Sequence, residues 1–239
     1  MQRRLVGLFA LGLILTQAAG SSAQDALPAA PTNAPLAAAG EESATQPQAS
    51  PVRWADQTAL IGSVRLDSAT KTVVATGWVN QTEGPIEVLA CGVQGKVHES
   101  VFVLAVNPLD LQAALLLAGL KRGEPMPELG VGPPKGDPVD LVVEWTANGE
   151  SRSARAESFV WNLEANAVLP ETPWTFTGSV VKDGHFKALA EESLVVTYWD
   201  PFAIVNLPLP CGSNDEILVV NTNAVPPYET PIALRFTPR

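Results

Sequence analysis

The segment from Gly95 to Gly119, GKVHESVFVLAVNPLDLQAALLLAG, carries the strongest fold signal in the chain. Its first half, 97–105, is rich in β-branched and apolar residues and predicts a strand. Side chains alternate across a strand, so Val97, Glu99, Val101 and Val103 share one face, and His98, Ser100, Phe102 and Leu104 the other. Both faces turn apolar towards the later end, the pattern of a central strand covered on both sides. Asn107-Pro108 then stops the strand. Asn107 suits a helix N-cap, Pro108 suits the first helical position, and Asp110 places negative charge at the positive end of the dipole. Residues 109–118 are apolar nearly all round, broken by Asp110 and Gln112, which predicts a buried helix over about 108–119. It is too short for a bilayer, which needs roughly 20 apolar residues. Gly119 can supply the left-handed turn that ends it.

Outward from this unit the pattern is β. Residues 59–66 and 72–79 predict two strands around the turn 67–70, and 86–90 a short strand after Gly84-Pro85. The Gly- and Pro-rich stretch 123–138 predicts a loop over the core. Asn148-Gly149 is a hairpin signal between strands at 139–145 and 152–160. Further strands are expected at 174–181, 194–199, 217–221 and 232–236. One helix among about ten strands gives an α+β class: a mostly antiparallel or mixed β body around one buried central helix. A short echo also invites a weak internal duplication. Gly62-Ser63-Val64 recurs as Gly178-Ser179-Val180, Cys91-Gly92 as Cys211-Gly212, and Pro133-Pro134, Pro138 and Leu141 as Pro226-Pro227, Pro231 and Leu234.

The amino terminus carries an export pattern. Arg3-Arg4 precede an apolar run, Leu5 to Leu15, and Ser21-Ser22-Ala23 forms a small-residue cleavage site, so 1–23 is expected to be a signal peptide. Residues 24–51 are rich in Ala, Pro and Ser without hydrophobic period and are expected to be a disordered linker. A single globular domain is expected over 52–239. The location that follows is periplasmic or extracellular, with no transmembrane segment after signal cleavage. Of 239 residues, 46% are hydrophobic, enough for a substantial core. The net charge is −10, and loss of Arg3 and Arg4 with the signal leaves 13 basic against 25 acidic residues, a balance of −12. A chain this acidic, without a basic run, argues against nucleic acid as a partner.

Candidate binding residues are few: His98, Glu99, Ser100 and Asp200. His98 and Glu99 are a base beside a carboxylate, but on a strand they point to opposite faces and form no direct dyad. They do not begin a zinc-protease HExxH helix, because Phe102 stands where the second histidine would be. Ser100 shares the His98 face without the glycines of a nucleophile elbow. Asp200 follows a strand at its carboxyl end, where ligands gather in open sheets, although Asp-Pro is also a turn signal. His98, Glu99 and the distant His185 make a poor metal set, and neither a metal nor another cofactor is expected. Cys91 and Cys211, the only thiols, are a candidate disulfide in an exported chain; two free cysteines in the core are the alternative. The six tryptophans are either core or an aromatic platform for glycan or peptide.

GKVHES at 95–100, Asn107-Pro108 and AALLLAG at 113–119 resemble the YdjY-domain family. So do WTFTGS at 174–179, Asp200-Pro201 and Val225-Pro226-Pro227. The resemblance runs over about 58–238. It implies an exported α+β domain and no particular reaction. Some relatives are labelled ferredoxin-like for clustered cysteines, a cluster this chain lacks. Gln112 stands where many relatives carry histidine, which removes one half of a metal pair with His98. The expectation is an exported, non-catalytic binding or structural domain, with an envelope protein or glycan as partner. The alternatives are a hydrolase or metal-dependent enzyme with a site near His98, Glu99 and Asp200, and an envelope assembly subunit using an open strand edge.

Overall fold

The structure is a computed structural model that describes residues 47–239. The expected signal peptide, 1–23, and most of the expected linker lie outside the described residues. The elements follow in the order β1 (Val52–Ala55), β2 (Thr58–Ile61), β3 (Val64–Asp67), β4 (Thr72–Val79), β5 (Val88–Cys91), β6 (Ser100–Leu104) and α1 (Pro108–Leu117). Next come β7 (Asp137–Ala147), β8 (Glu150–Arg155), β9 (Val160–Asn162), β10 (Ala167–Val168) and β11 (Trp174–Phe176). The chain closes with β12 (Val181–Lys182), β13 (His185–Phe186), α2 (Lys187–Glu191), β14 (Ser193–Val196), β15 (Val205–Asn206), β16 (Leu218–Val220) and β17 (Pro231–Pro238).

Eight of these strands form a closed ring. β4 pairs with β17, β17 with β7, β7 with β11 and β11 with β15, all antiparallel. β15 runs parallel to β14, β14 antiparallel to β5, and β5 parallel to β6. β6 then returns antiparallel to β4 and closes the barrel. Closure leaves none of the eight with a free edge along the ring. The period-two pattern fills the interior. Leu234 stands opposite Val143 and Phe236 opposite Leu141, and all four are fully buried. Phe102 and Phe159 meet edge to face, with centroids 5.3 Å apart.

β4 does two jobs. Its first residues, Thr72–Val74, pair with β3, and its last, Gly77–Val79, with β6. The ribbon β1-β2-β3 therefore leaves the barrel where β6 joins it. A Cβ on Gly77 would lie 1.9 Å from the Val103 carbonyl oxygen, so only glycine lets β4 come this close to β6. β8 flanks β7, while β10-β9-β16 and β12-β13 form two small separate sheets. The 123–136 segment packs over Trp199, with Gly130 N–H donating to the Trp199 carbonyl at 2.8 Å.

These pairings overturn the α+β expectation: the fold is a mostly-β closed barrel, and α1 is not its centre. Asn107 caps the helix as expected, its Oδ1 accepting from Leu109 N–H at 2.8 Å, and Gly119 has the positive φ of +102°. But α1 packs against the ribbon strands β2 and β3, the start of β4, and α2. It buries only one side, through Leu111, Ala114 and Leu115, and leaves Leu116 and Leu117 exposed. The physical reason is that a barrel seals its apolar faces against each other, so no helix is needed to cover a sheet. At the helix start Asp110, itself buried, accepts from Ser50 N–H at 2.5 Å and Ser50 Oγ at 2.9 Å, which ties the end of the expected linker to the body.

The duplication also fails. Gly62-Ser63-Val64 turns into β3 of the ribbon, while Gly178-Ser179-Val180 leads into β12 of a separate two-stranded sheet. Cys91 ends a barrel strand, whereas Cys211 lies in the 3-10 turn Pro210–Ser213.

Candidate functional site

The expected strand over 97–105 is two pieces. Val97–Glu99 forms a 3-10 turn, and β6 begins only at Ser100. The five residues of β6 are all buried, as expected of a central strand. The turn is held by Asn80, whose Nδ2 donates to the carbonyls of Val97 at 2.5 Å and Ser100 at 2.9 Å. The backbone is curled here, so the alternation argument does not apply. His98 Nε2 comes within 3.8 Å of Glu99 Oε2. That distance is too long for a hydrogen bond.

Around the turn lies an open cleft of about 460 Å³, lined by Glu87, His98, Glu99, Asp215 and Glu216 with Pro85 and Ile86. Its charges are partly matched. Lys96 Nζ lies 2.9 Å from Glu87 Oε2 and 3.0 Å from Glu99 Oε1. Burial works to lower the Lys96 pKa, but the hydrogen bonds and charges of Glu87 and Glu99 outweigh it and hold the ammonium above its ordinary range. His98 keeps 78% of its side chain in solvent. Among the described residues none hydrogen-bonds to it, so it lacks the orienting partner a general base needs.

Ser100 and Asp200 stand apart from this cleft. Ser100 is fully buried, and its Oγ donates to the Lys96 carbonyl at 2.8 Å. Asp200 is buried in its own turn, where Oδ1 accepts from Phe202 N–H at 2.7 Å. Asn206 fastens that turn from the other side, accepting from Asp200 N–H at 2.8 Å and donating to its carbonyl at 3.0 Å. Burial pushes the Asp200 carboxyl up, only partly offset by the Phe202 N–H and the field of Lys96. Lys96, Glu87 and Asp200 line a separate crevice with Leu129, Val196 and Tyr198, and it is too narrow to admit a water molecule. The structure therefore brings His98 and Glu99 together and separates both from Ser100 and Asp200.

A family model for the YdjY domain matches residues 64–237. The chain belongs to the YdjY-domain family. No curated protein and no solved structure matches it significantly. The match covers every strand of the barrel, so the closed ring is the architecture of this YdjY domain, apart from the last residue of β17. Among the described residues of the domain, no three His, Cys, Asp or Glu side chains are grouped to hold a metal ion, and no helix is long and apolar enough to cross a membrane. Gln112 is buried and donates Nε2 to the Gly178 carbonyl at 3.0 Å, while its Oε1 has no partner among the described residues. His185 sits exposed on β13.

Cys91 and Cys211 are both free thiols, so the disulfide considered from the sequence is not formed. Cys91 packs with Val88, Val103, Val196 and Ala203, and Cys211 against the main core. Burial raises both thiols, so neither is an activated nucleophile. Of the tryptophans, Trp174 and Trp199 are core, Trp54 is exposed, and Trp78, Trp145 and Trp161 are half-buried. Sequence reasoning missed Glu87, Lys96, Asp215 and Glu216. Lys96 stood two residues from His98, but the other three are brought in by pairings that no local pattern announces.

Proposed function

We propose that this YdjY domain is an exported, non-catalytic binding module. The observation that supports it most is the dispersal of the reactive side chains. Ser100 and Asp200 are each spent on bonds to nearby backbone, and His98 stands in solvent with no hydrogen-bonded orienting partner among the described residues. A hydrolase that uses a serine nucleophile needs nucleophile, base and orienting group in one hydrogen-bonded chain. The export half of the reading rests on Arg3-Arg4, the apolar run from Leu5 and the Ser21-Ser22-Ala23 site. The open His98 cleft, with four carboxylates against one ammonium, favours cationic groups such as the amines of a basic envelope peptide or polyamine.

The test joins a turnover screen to a binding measurement. The full chain is assayed on ester, phosphomonoester, peptide and glycoside substrates beside His98→Ala and Ser100→Ala. It is also titrated calorimetrically with spermidine. No turnover by any form, with spermidine heat lost in Glu87→Gln/Glu99→Gln, is the expected outcome. Turnover that disappears in His98→Ala or Ser100→Ala would return the chain to the hydrolase class.

A further inference from the structure

The small sheet β10-β9-β16 presents an apolar face to the outside. Its register puts Val168 and Val219 directly opposite Trp161, one on each side, so the three side chains share one face. The other face, with Val160, Leu218 and Val220, is buried in the core. A half-buried strand normally turns polar residues outward. Here the outward row is Val168, Trp161 and Val219, with Trp161 and Val219 half-buried and Val168 exposed at 38%.

This row opens into a cleft of about 340 Å³ beside Trp161, bounded by Gly84 on one side and by Thr222 and Asn223 on the other. That size lies within the range of small-ligand pockets, about 300–1,000 Å³. Gly84 has φ +93° and brings no side chain into the space. Its carbonyl accepts from Val220 N–H at 3.0 Å, which fixes that wall to β16. The opposite wall is fixed by Asn221: its Nδ2 donates to the Ser158 carbonyl at 2.7 Å, and its Oδ1 accepts from Asn223 N–H at 3.3 Å. Thr222 and Asn223 are exposed and Trp161 is half-buried, so all three reach the solvent side of the cleft. In a chain of net charge −10, no charged side chain among the described residues lines this cleft.

We infer that the Trp161 cleft binds a neutral saccharide. A pyranose ring has an apolar face of C–H bonds that stacks on an indole, and an equatorial belt of hydroxyls that needs neutral donors and acceptors at its edge. Trp161 supplies the platform, Val219 widens it, Val168 continues the apolar row outside the cleft, and Thr222 and Asn223 supply the edge. The absence of charge in the lining selects against phosphates, carboxylates and amines. The cleft does not include His98, so this inference stands or falls separately from the cationic reading of that site.

The test uses the full chain labelled with nitrogen-15, whose six tryptophans give six indole signals. The probe is N,N′-diacetylchitobiose, with a neutral phenylalanine-containing tripeptide as competitor. The Trp161 signal, assigned by its loss in Trp161→Phe, is expected to shift saturably while the Trp54 signal stays still. Trp161→Ala is expected to weaken binding by about tenfold or more, and Thr222→Val/Asn223→Ala by about threefold. Trp161→Phe keeps an aromatic ring on the same strand and is expected to retain part of the affinity, which separates a lost platform from a lost fold. The inference is overturned by any of three results: no indole shift at millimolar disaccharide, binding unchanged in Trp161→Ala, or the tripeptide taking the cleft more tightly than the sugar.

Discussion

Arg155 grips Glu157 side-on: the guanidinium donates to Oε1 at 2.9 Å and to Oε2 at 3.3 Å, and the carboxylate it holds is only 1% exposed. The same Arg155 reaches Asp140 at 2.9 Å and the Thr172 carbonyl at 3.1 Å, while Thr172 N–H returns to Glu157 at 3.0 Å. The network fastens the end of β8 to β7 and to the segment that leads into β11. Removing the cation would leave a buried carboxylate without its counter-charge, the costly way to break such a pair. Arg155→Met is expected to lose about 3 kcal/mol, the low end for buried pairs, because Arg155 keeps 20% of its side chain in water. Arg155→Lys recovers only part of this, since an ammonium cannot make the side-on pair. Urea denaturation of the three proteins measures both values.

Two carboxyls should give opposite pH signatures. At Asp140, burial pushes the pKa up, but hydrogen bonds from Arg239 and Arg155 outweigh it and hold it below the usual carboxylate range. Its stabilisation is present above the unfolded pKa and fades as pH falls through the lowered folded value. At Asp200, burial wins and the pKa is raised. The ionised form then costs stability above the raised value, and the cost vanishes as pH falls to the unfolded value. Asp140→Asn is therefore expected to be less stable than the parent at neutral pH, and Asp200→Asn more stable. Both differences should shrink on acidification, that of Asp200→Asn first. Denaturation curves from about pH 3 to about pH 7 decide it.

Closure of the barrel rests on a missing side chain. A methyl group at Gly77 would run into the β6 backbone at Val103 and Leu104, which cannot move without breaking the β4–β6 ladder. Gly77→Ala is expected to cost about 3 kcal/mol, the upper part of the usual range for overpacking. Amide exchange should show the loss concentrated in β4 and β6. Uniform protection loss, or none, would mean the seam is not where the barrel is closed.

The thiols give a further check. Thiol titration of the unfolded, unreduced chain is expected to find two free cysteines. In the native protein Cys91, with no exposed surface, should resist alkylation, and Cys211, partly exposed, should react slowly because burial holds it protonated. A single disulfide in place of two thiols would contradict the packing of Cys91 and Cys211 against separate clusters.

Three local signals were read correctly. Asn107-Pro108 marked the start of α1, Gly119 its end, and Asn148-Gly149 the hairpin between β7 and β8. Errors came where one residue breaks a smooth pattern. Residues 59–66 look like one strand, yet Gly62, with φ +56°, folds them into β2 and β3. His98 and Glu99 continue the apolar alternation of β6 in sequence, but Asn80, seventeen residues or more away, holds them in a 3-10 turn. The candidate cleft was half legible: His98 and Glu99 could be picked out, whereas Glu87, Asp215 and Glu216 come from three separate stretches.

By itself the sequence determined the β-rich composition of the core, the position of its longest helix and membership of the YdjY family, because turn chemistry, capping and short motifs are local properties of the chain. Only the tertiary structure decided that the sheet closes, that α1 serves the ribbon and not the middle, and that Ser100 and Asp200 are withdrawn from the His98 cleft. Those outcomes depend on pairings such as β4 with β17, whose register joins Val73 to Phe236 across most of the domain. Alternation fixes which side of a strand faces inward, but leaves open which other strand will lie beside it.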